Sequence, residues 1–387
     1  MENLKVIIVG AGMGGLTTGI AMRQAGYTVE IYDRVRELRP AGAGISLWSN
    51  GVKVLNRLGL GKEIASIGGI MNRMAYHSMT GETLTDFSLQ MLIDWVGQRP
   101  YPVTRSDLQS MLLDAFGPGL VQLNSRCVAV EQDADSVTAI FEDGYRATGD
   151  LLIAADGTHS QIRSYVVEQA VERRYVGYVN WNGLVTADER LVPKDSWVIY
   201  VGEHKRASMM PVGGDRFYFF LDVPLPKGTE SVPEQYREEL SSHFKGWAEP
   251  VQTLIQTLDP MTTNRVEIHD VEPLSQLVKG RVALLGDAAH STAPDLGQGG
   301  CQAMEDALVL ANYLQTTNLS VEDALKRYEA ARLSRVTDIV NRARKRSDVT
   351  HGKDPIKTQQ WYEELKHEDG LKILKAISNT ILAGPLH

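Results

Sequence analysis

The sequence predicts an α/β fold that combines a Rossmann-like parallel sheet with a separate β-sheet, and three features of its 387 residues lead to this prediction. A short apolar run at Lys5–Val9 is followed at once by the glycine-rich segment GAGMGG. A second glycine-rich segment, GDAAHSTAPDLGQGG, follows another apolar run in the last third of the chain. Between them, residues 173–224 are rich in Tyr, Trp, Val and Phe at strand-like spacing, which favours a second sheet.

The first glycine segment has the spacing of a dinucleotide-binding turn. Gly10 permits the tight turn, Gly12 lets the backbone approach a pyrophosphate, and Gly15 allows a helix to pack closely on the strand. We predict that helix over residues 16–25, with its N-terminal N–H groups available to phosphates. The next strand-like run ends at Asp33, where an acid accepts hydrogen bonds from an adenosine ribose.

The segment after Asp33 bears on the choice between FAD and NAD, which the loop alone leaves open. A pure NAD domain would continue with alternating strands and helices, whereas this chain continues with RPAGAGISLWSNGVKVLNRLGL. Its Gly-Ala-Gly backbone suits contact with a flat ring system, and a helix is predicted from about Asn50. Further on, Arg105 precedes a helix that Ser106 and Gln109 are expected to begin as a capping box. On this evidence Arg105 either reaches a cofactor or faces solvent.

Two later segments complete the predicted cofactor site. In LLIAADGTHSQIR, Asp156 stands at a strand end, where ligands of doubly wound sheets bind. In the second glycine segment, Asp287 is placed to accept a hydrogen bond from a ribityl chain. A helix follows, and its N-terminus would favour the negative charge of a reduced flavin. We therefore predict that both loops hold one long cofactor, the N-terminal loop binding its AMP half. The loop residues expected at the cofactor are Gly297, Gln298, Gly299, Gly300 and Cys301.

Composition excludes several classes of function. The net charge of −8 argues against a nucleic-acid surface, and no apolar run is long enough to span a bilayer. Two cysteines give no disulfide framework and fit a reducing cytoplasm, and the nine histidines show no metal-ligand spacing. His290 is interpreted as structural. The basic stretch RARKRSDVTHGK is interpreted as a solvated helix face, with steering of an anionic substrate as the alternative.

Taken together, GAGMGG with its acid, DLLIAADGTHSQIR and LLGDAAHSTAPDLGQGG resemble the FAD-dependent aromatic-ring hydroxylases of the para-hydroxybenzoate hydroxylase type over nearly the whole chain. The resemblance implies a Rossmann-like FAD-binding domain, an inserted mixed β-sheet substrate domain and C-terminal helices. The implied FAD-binding parts are residues 1–75, 101–170 and 276–325. The substrate domain would take residues 76–100 and 171–275, and the helical segment residues 326–387.

The resemblance also implies the chemistry. It predicts bound FAD, with NADH or NADPH as reductant and O2 as co-substrate, but no second nucleotide domain. We expect a cytoplasmic enzyme that is a monomer or a homodimer. Further residues expected at the cofactor are Gly14, Arg34, Ser46, Arg105, Val128 and Asp156.

Four stretches, YVGYVNWNGLV, RFYFFLDVPLP, TTNRVEIHD and RKRSDVTHGKD, resemble the urate-hydroxylating branch of this family. That branch implies hydroxylation of urate at C5 to 5-hydroxyisourate through a C4a-hydroperoxyflavin. It implies Arg206 and Tyr218 as catalytic residues, with Asn180 also contacting substrate, although composition alone favours a solvated surface charge for Arg206. The alternatives are a hydroxybenzoate, salicylate or hydroxynicotinate hydroxylase of the same fold. More distant ones are an NAD-dependent Rossmann dehydrogenase and a flavoprotein that only carries electrons.

Overall fold

The computed structural model describes residues 4–38, 43–316 and 318–386. The strands are β1 (Lys5–Val9), β2 (Thr28–Tyr32), β3 (Gly44–Leu47), β4 (Arg73–Ser78), β5 (Thr83–Ser88), β6 (Tyr101–Thr104), β7 (Val121–Gln122), β8 (Cys127–Gln132), β9 (Val137–Phe141), β10 (Arg146–Gly149), β11 (Leu151–Ala154), β12 (Arg173–Thr186), β13 (Ser196–Gly202), β14 (Lys205–Val212), β15 (Arg216–Pro224), β16 (Asn264–Val271), β17 (Val278–Lys279) and β18 (Val282–Leu284). The helices are α1 (Met13–Gln24), α2 (Ser49–Arg57), α3 (Gly61–Ile67), α4 (Gln90–Val96), α5 (Arg105–Phe116), α6 (Ile162–Val167), α7 (Tyr236–His243), α8 (Glu249–Thr257), α9 (Asp287–His290), α10 (Gly299–Leu314), α11 (Val321–Thr350), α12 (Pro355–Lys366) and α13 (Leu371–Leu382).

The first sheet has the strand order β17-β18-β11-β1-β2-β7, and every pair in it except β17 and β18 is parallel. The chain leaves the central strand β1 toward β2 on one side and later returns to β11 on the other. Such a reversal opens a crevice at the carboxyl ends of the strands. Because Gly10, Asp33, Asp156 and Asp287 all follow strands of this sheet, its topology brings them to that one edge.

The second sheet, with the order β16-β12-β15-β14-β13-β4-β5, has two faces of different character. Phe217, Phe219 and Leu221 of β15 point to one side and pack with Leu254 of α8 in an apolar core. Tyr218 lies on the opposite side and packs against the core of the first sheet. The alternation follows from the two-residue period of a strand. One face is therefore sealed by α7 and α8, and the other lies toward the first sheet.

The C-terminal segment is helical. Ser320 caps the 30-residue α11 by accepting a hydrogen bond from the N–H of Asp323 at 3.1 Å, and α11 packs along α10. The predicted fold class, a Rossmann-like sheet with an inserted mixed sheet and C-terminal helices, is confirmed. Within the described ranges, no helix has both the length and the apolar character to cross a bilayer.

Two local predictions need correction. α1 begins at Met13, three residues before the predicted start, because the glycine turn leads straight into the helix. The predicted capping box at Ser106 is wrong: α5 begins at Arg105 and its cap is Thr104, whose Oγ1 accepts from the N–H of Asp107 at 3.1 Å. The helix predicted from about Asn50 is confirmed as α2.

Candidate active site

The glycines of the N-terminal loop fall into two groups. A Cβ added to Gly10, which has φ +109°, would collide with the carbonyl of Ala155, and one added to Gly15 would collide with the carbonyl of Gly10. A Cβ on Gly12 would have no protein atom within 4 Å. Sterics therefore require the first and third glycines, while open space lies beside the second. That open space and the N-terminus of α1 fit a bound pyrophosphate.

Asp33 fastens this loop from the end of β2. Its Oδ2 accepts from the N–H of Ala11 at 2.7 Å and its Oδ1 from the N–H of Val35 at 3.0 Å. A carboxylate has about four lone-pair sites, so acceptor capacity remains for a ribose. The neighbouring Arg34 is exposed. Asp33 thus has the geometry to shape the loop and to contact the cofactor at once.

We expect Asp33→Ala to weaken FAD binding at least about tenfold, because each charge-assisted hydrogen bond contributes roughly 1.5–3 kcal/mol. Fluorescence titration of the apoprotein with FAD measures this change. The matched control is Asp114→Ala, which removes an exposed acid from α5. Equal FAD affinity in the two variants would contradict the role of Asp33, and any FAD that stays bound should keep its normal spectrum.

Asp156 follows β11 at the same edge. Its Oδ2 accepts from the N–H of Gln161 at 2.9 Å, whereas its Oδ1 is buried without a hydrogen-bond partner in the described parts of the chain. Burial raises the pKa of this carboxyl. A buried acceptor without a donor is costly, so Oδ1 indicates a group that a ligand supplies.

The C-terminal loop converges on the N-terminal loop. A Cβ on Gly300 would lie 3.5 Å from Cε of Met13, and Gly14 packs against Leu285 and Ala303. Gly14 therefore lies where the two loops pack together, and its backbone is the part that would contact a ligand. Asp287 is exposed just after Gly286, which has φ +61°.

The start of α10 lies next to β3. Gly297, with φ +62°, fits tightly against Ser46 and Trp48, so two predicted cofactor residues meet there. Gln298 is buried at the N-cap, Gly299 begins the helix, and no acid stands in its first turn, which leaves its N-terminus free for an anionic group. Burial raises the pKa of the Cys301 thiol to about 12, so its thiol is not a nucleophile at neutral pH.

The remaining predicted cofactor residues are more scattered. Val128 is exposed at a bulge of β8, where its backbone is unpaired with β9. The backbone N–H of Arg105 donates to the carbonyl of Ala43 at 3.1 Å, and its charge lies close enough to Tyr218 to affect that pKa. Of the predicted Gly-Ala-Gly segment, residues 39–42 lie outside the described residues.

We expect Asp287→Ala to weaken FAD binding as well, from the opposite end of the crevice. The variant lacks the exposed carboxylate at the start of α9. The cofactor would then lose the expected hydrogen bond to it, worth roughly 1.5–3 kcal/mol. The same titration measures the loss, and the double variant with Asp33→Ala should lose the sum of the two free energies. FAD binding that is weakened by Asp33→Ala alone would mean that the second loop is not a cofactor loop.

A buried polar network, which sequence reasoning missed, supports the second loop from α10. Asp306 accepts from the N–H of Gly286 at 3.0 Å, from Nε2 of His290 at 2.6 Å and from Nε of Arg332 at 2.6 Å. Burial alone would raise the pKa of Asp306, but Arg332 and His290 hold it well below its ordinary value. The contact to Asp306 supports the structural interpretation of His290.

The adjacent Glu305 extends this network to the helix start. It accepts from Nη1 of Arg332 at 2.7 Å and from Nδ2 of Asn50 at 2.7 Å, and Asn50 also donates to Gln298 at 3.0 Å. Arg332 is 1% exposed and joins both carboxylates. The C-terminal segment thereby holds both ends of the second glycine loop.

The predicted substrate residues lie on the face of the second sheet that is directed toward the first sheet. Arg206, Asp222 and Asn180 are register partners on β14, β15 and β12. Nε of Arg206 donates to Asp222 at 2.8 Å, Nη2 donates to Asp295 at 2.9 Å, and Nδ2 of Asn180 donates to the other oxygen of Asp222 at 2.6 Å. Arg206 is only 8% exposed, so the interpretation as a solvated surface charge is wrong.

Tyr218 lies on the same face of β15, four residues before Asp222. Its ring packs directly over Gly44, where a Cβ would collide with it. Burial raises the pKa of its hydroxyl to about 12. The hydroxyl is therefore protonated at neutral pH and can orient a ligand as a donor or an acceptor.

Comparisons with known proteins show the family to which the chain belongs. A family model described as an FAD binding domain matches residues 3–343. The FAD-dependent urate hydroxylase of Klebsiella pneumoniae subsp. pneumoniae is 54% identical over 385 residues, covering 99% of this chain and 100% of that protein. The FAD-dependent urate hydroxylase of Mycolicibacterium vanbaalenii is 51% identical over 386 residues, covering 99% and 98%.

Solved structures are also similar. The crystal structure of Klebsiella pneumoniae HpxO complexed with FAD and uric acid matches with a TM-score of 0.97 and 52% identity, covering 99% of this chain and 98% of that one. A salicylate hydroxylase substrate complex, 23% identical, shares the fold with a TM-score of 0.79.

The fold and its two converging loops define a flavoprotein of the monooxygenase class. The chain belongs to the FAD-binding monooxygenase family that includes the FAD-dependent urate hydroxylases. This membership argues against the alternative of an NAD-dependent dehydrogenase. Among the described residues, no group of three His, Cys, Asp or Glu is placed to hold a metal ion.

Proposed function

We propose that this protein hydroxylates urate at C5, giving 5-hydroxyisourate, with FAD as cofactor, NADH or NADPH as reductant and O2 as the oxygen source. The observation that carries the proposal is the buried Arg206, held by two carboxylates on the sheet face toward the cofactor loops. Names of relatives at 51% and 54% identity support the same substrate. FAD, when bound, would take up electrons from the nicotinamide and transfer one oxygen atom of O2 to the substrate.

The chain's own residues fit FAD along its length. Open space beside Gly12 and the N-terminus of α1 suit the pyrophosphate, and Asp33 suits the adenosine ribose. Asp287 suits the ribityl chain, and the N-terminus of α10 suits the ring system. A helix N-terminus stabilises negative charge, so this placement favours the reduced ring.

Arg206 has the chemistry to bind a planar anion. Two of its nitrogens are held by Asp222 and Asp295, while Nη1 has no hydrogen-bond partner among the residues that the structure describes. Urate is an anion at neutral pH, and its C4=C5 bond carries nitrogen substituents that enrich C5 in electrons. A guanidinium held in place donates hydrogen bonds to the urate oxygens, and Tyr218 and Asn180 complete the orientation of the ring.

The product from urate, NADH and O2 tests the proposal. Mass spectrometry should show urate with one added oxygen, formed in step with NADH consumption. The same assay with hydroxybenzoate, salicylate and hydroxynicotinate tests the alternatives of the same fold, and NADPH in place of NADH tests the reductant. Flavin reduction without oxygen transfer to any of them would indicate an electron carrier and overturn the proposal.

Cellular location and assembly are part of the proposal. Both cysteines, Cys127 and Cys301, are free and buried, which supports a reducing, cytoplasmic setting. We propose a monomer or a homodimer, which sedimentation of the FAD-loaded protein would distinguish.

A further inference from the structure

We infer that His351, at the C-terminal end of α11, is a positioning residue for Arg206 that carries a positive charge and balances the second carboxylate of the substrate cluster. The inference rests on the proposed function in that urate is taken as the anion that Arg206 binds. His351 comes from the basic stretch that the sequence indicates as a solvated helix face. The structure corrects that interpretation, because Arg344 of the stretch pairs with the buried Asp270 at 2.7 Å and His351 reaches the cluster itself.

The surroundings of the imidazole fix where its protons lie. The ring stacks on Tyr178 with centroids 3.8 Å apart, and its side chain is 5% exposed. Nδ1 lies 3.3 Å from the carbonyl oxygen of His204, an acceptor only, so Nδ1 carries a proton.

The other ring nitrogen then decides the charge. Nε2 lies 3.6 Å from Asp295 and 4.0 Å from Asp222, which are ion-pair rather than hydrogen-bond distances. It is buried and has no hydrogen-bond partner among the described residues. An unprotonated Nε2 would turn its lone pair toward two carboxylates, which is repulsive, whereas an N–H there is attracted to both. The geometry therefore selects the doubly protonated imidazolium.

The charge count of the cluster leads to the same state. Asp222 and Asp295 bring two negative charges and Arg206 one positive charge, all buried, so the set is balanced only when His351 is charged. Burial would raise the pKa of Asp295, but Arg206 and His351 lower it to about 2. The titratable and charged groups that face His351 are Tyr178 of β12, Arg206 of β14, Asp222 of β15, Asp295 before α10, His204 between β13 and β14, and Tyr362 of α12.

The charge on His351 matters for an anionic substrate. With His351 charged, the buried set is neutral and Arg206 attracts urate without opposition. With His351 neutral, the set carries a net charge of −1 next to the substrate. Removal of the charge on His351 should therefore raise the dissociation constant of urate, while kcat at saturating urate changes much less.

Two measurements test this inference. The first is NMR of the ¹³C-labelled histidines in the urate-free, FAD-loaded protein, where we expect His351 to carry both protons at pH 7. A neutral His351 in that spectrum would overturn the inference, and this result needs neither urate nor a variant. A charged His351 in a protein that does not hydroxylate urate would instead count against the proposed function.

The second measurement is urate affinity, read from the perturbation of the flavin spectrum. His351→Gln should raise the urate dissociation constant about tenfold, because one unit of nearby charge is lost. His351→Arg, which introduces a planar and permanent cation that can also stack on Tyr178, should keep tight binding. The control is His367→Gln, at an exposed position after α12. Equal losses in the Gln and Arg variants would show a role in packing alone and overturn the inference.

Discussion

Arg206→Met should nearly abolish urate hydroxylation while leaving FAD content almost unchanged. Methionine keeps the apolar stem but removes the charge and the donor fork, and loss of one partner from a buried charged contact costs about 2–5 kcal/mol. A urate ring displaced by about 1 Å loses on the order of a hundredfold in rate. The oxygen that is not transferred should then leave as hydrogen peroxide. We expect the ratio of urate consumed to NADH oxidised to fall accordingly, with peroxide rising in proportion.

The structure adds a second consequence for this variant. Without Arg206, the buried carboxylates of Asp222 and Asp295 carry one more negative charge than His351 balances, so the protein should also be less stable. Arg206→Lys separates the two effects, because lysine keeps the charge for the carboxylates but lacks the planar fork. Urate turnover, peroxide release and thermal unfolding should be compared in the parent and both variants. Coupling and urate affinity equal to the parent's in Arg206→Met would remove the main residue-level support for urate as substrate.

The geometry of the N-terminal glycine loop was predictable from the sequence because it is local. The spacing of Gly10, Gly12 and Gly15 encodes a turn, a close approach and a helix contact within a few residues of one another. The acid at Asp33 is separated from them by only one helix and one strand. Local geometry of this kind can be predicted without knowledge of the tertiary structure.

The surroundings of Arg206 could not be predicted in the same way. Asp222, Asp295 and His351 come from a strand, a loop and the end of a long helix, and only the folded chain brings them together. A signal was present in RFYFFLDVPLP, where an acid interrupts an apolar run, since a buried charge requires a partner. The residues next to this acid in the sequence do not identify its partner.

The same limit applies to Arg332, which is among the largest fully buried side chains of the described residues. The helical period places Arg332 on the apolar face of α11 with Tyr328 and Val336, unlike Arg327 five residues earlier, which is exposed. That pattern indicates burial but does not identify the acids with which the arginine pairs. The partners, Glu305 and Asp306, lie on α10 more than twenty residues away. The resemblance implied only a helical segment over residues 326–387, whereas Arg332 of that segment joins the carboxylates that hold the second glycine loop.

Arg332→Met should accordingly lower the free energy of unfolding by about 3–5 kcal/mol at pH 7, because it removes the guanidinium that pairs with the buried carboxylate of Asp306. Asp306 also holds the N–H of Gly286, just before Asp287, so FAD affinity should fall too. Urea unfolding of the FAD-loaded and FAD-free proteins measures the two losses separately. The control is Arg327→Met, the same change at an exposed position of α11.

The pH dependence of that loss identifies its cause. Arg332 and His290 hold the pKa of Asp306 below its ordinary value of 3.8, so the ionised Asp306 stabilises the parent above about pH 4 and this stabilisation is lost as pH falls toward the folded-state value. In Arg332→Met the carboxyl takes up a proton more readily, which relieves the unpaired charge. The difference in unfolding free energy between parent and variant should therefore be largest near pH 7 and shrink below about pH 5. A difference that stayed constant down to about pH 3 would assign the loss to packing around the arginine stem rather than to the buried carboxylate.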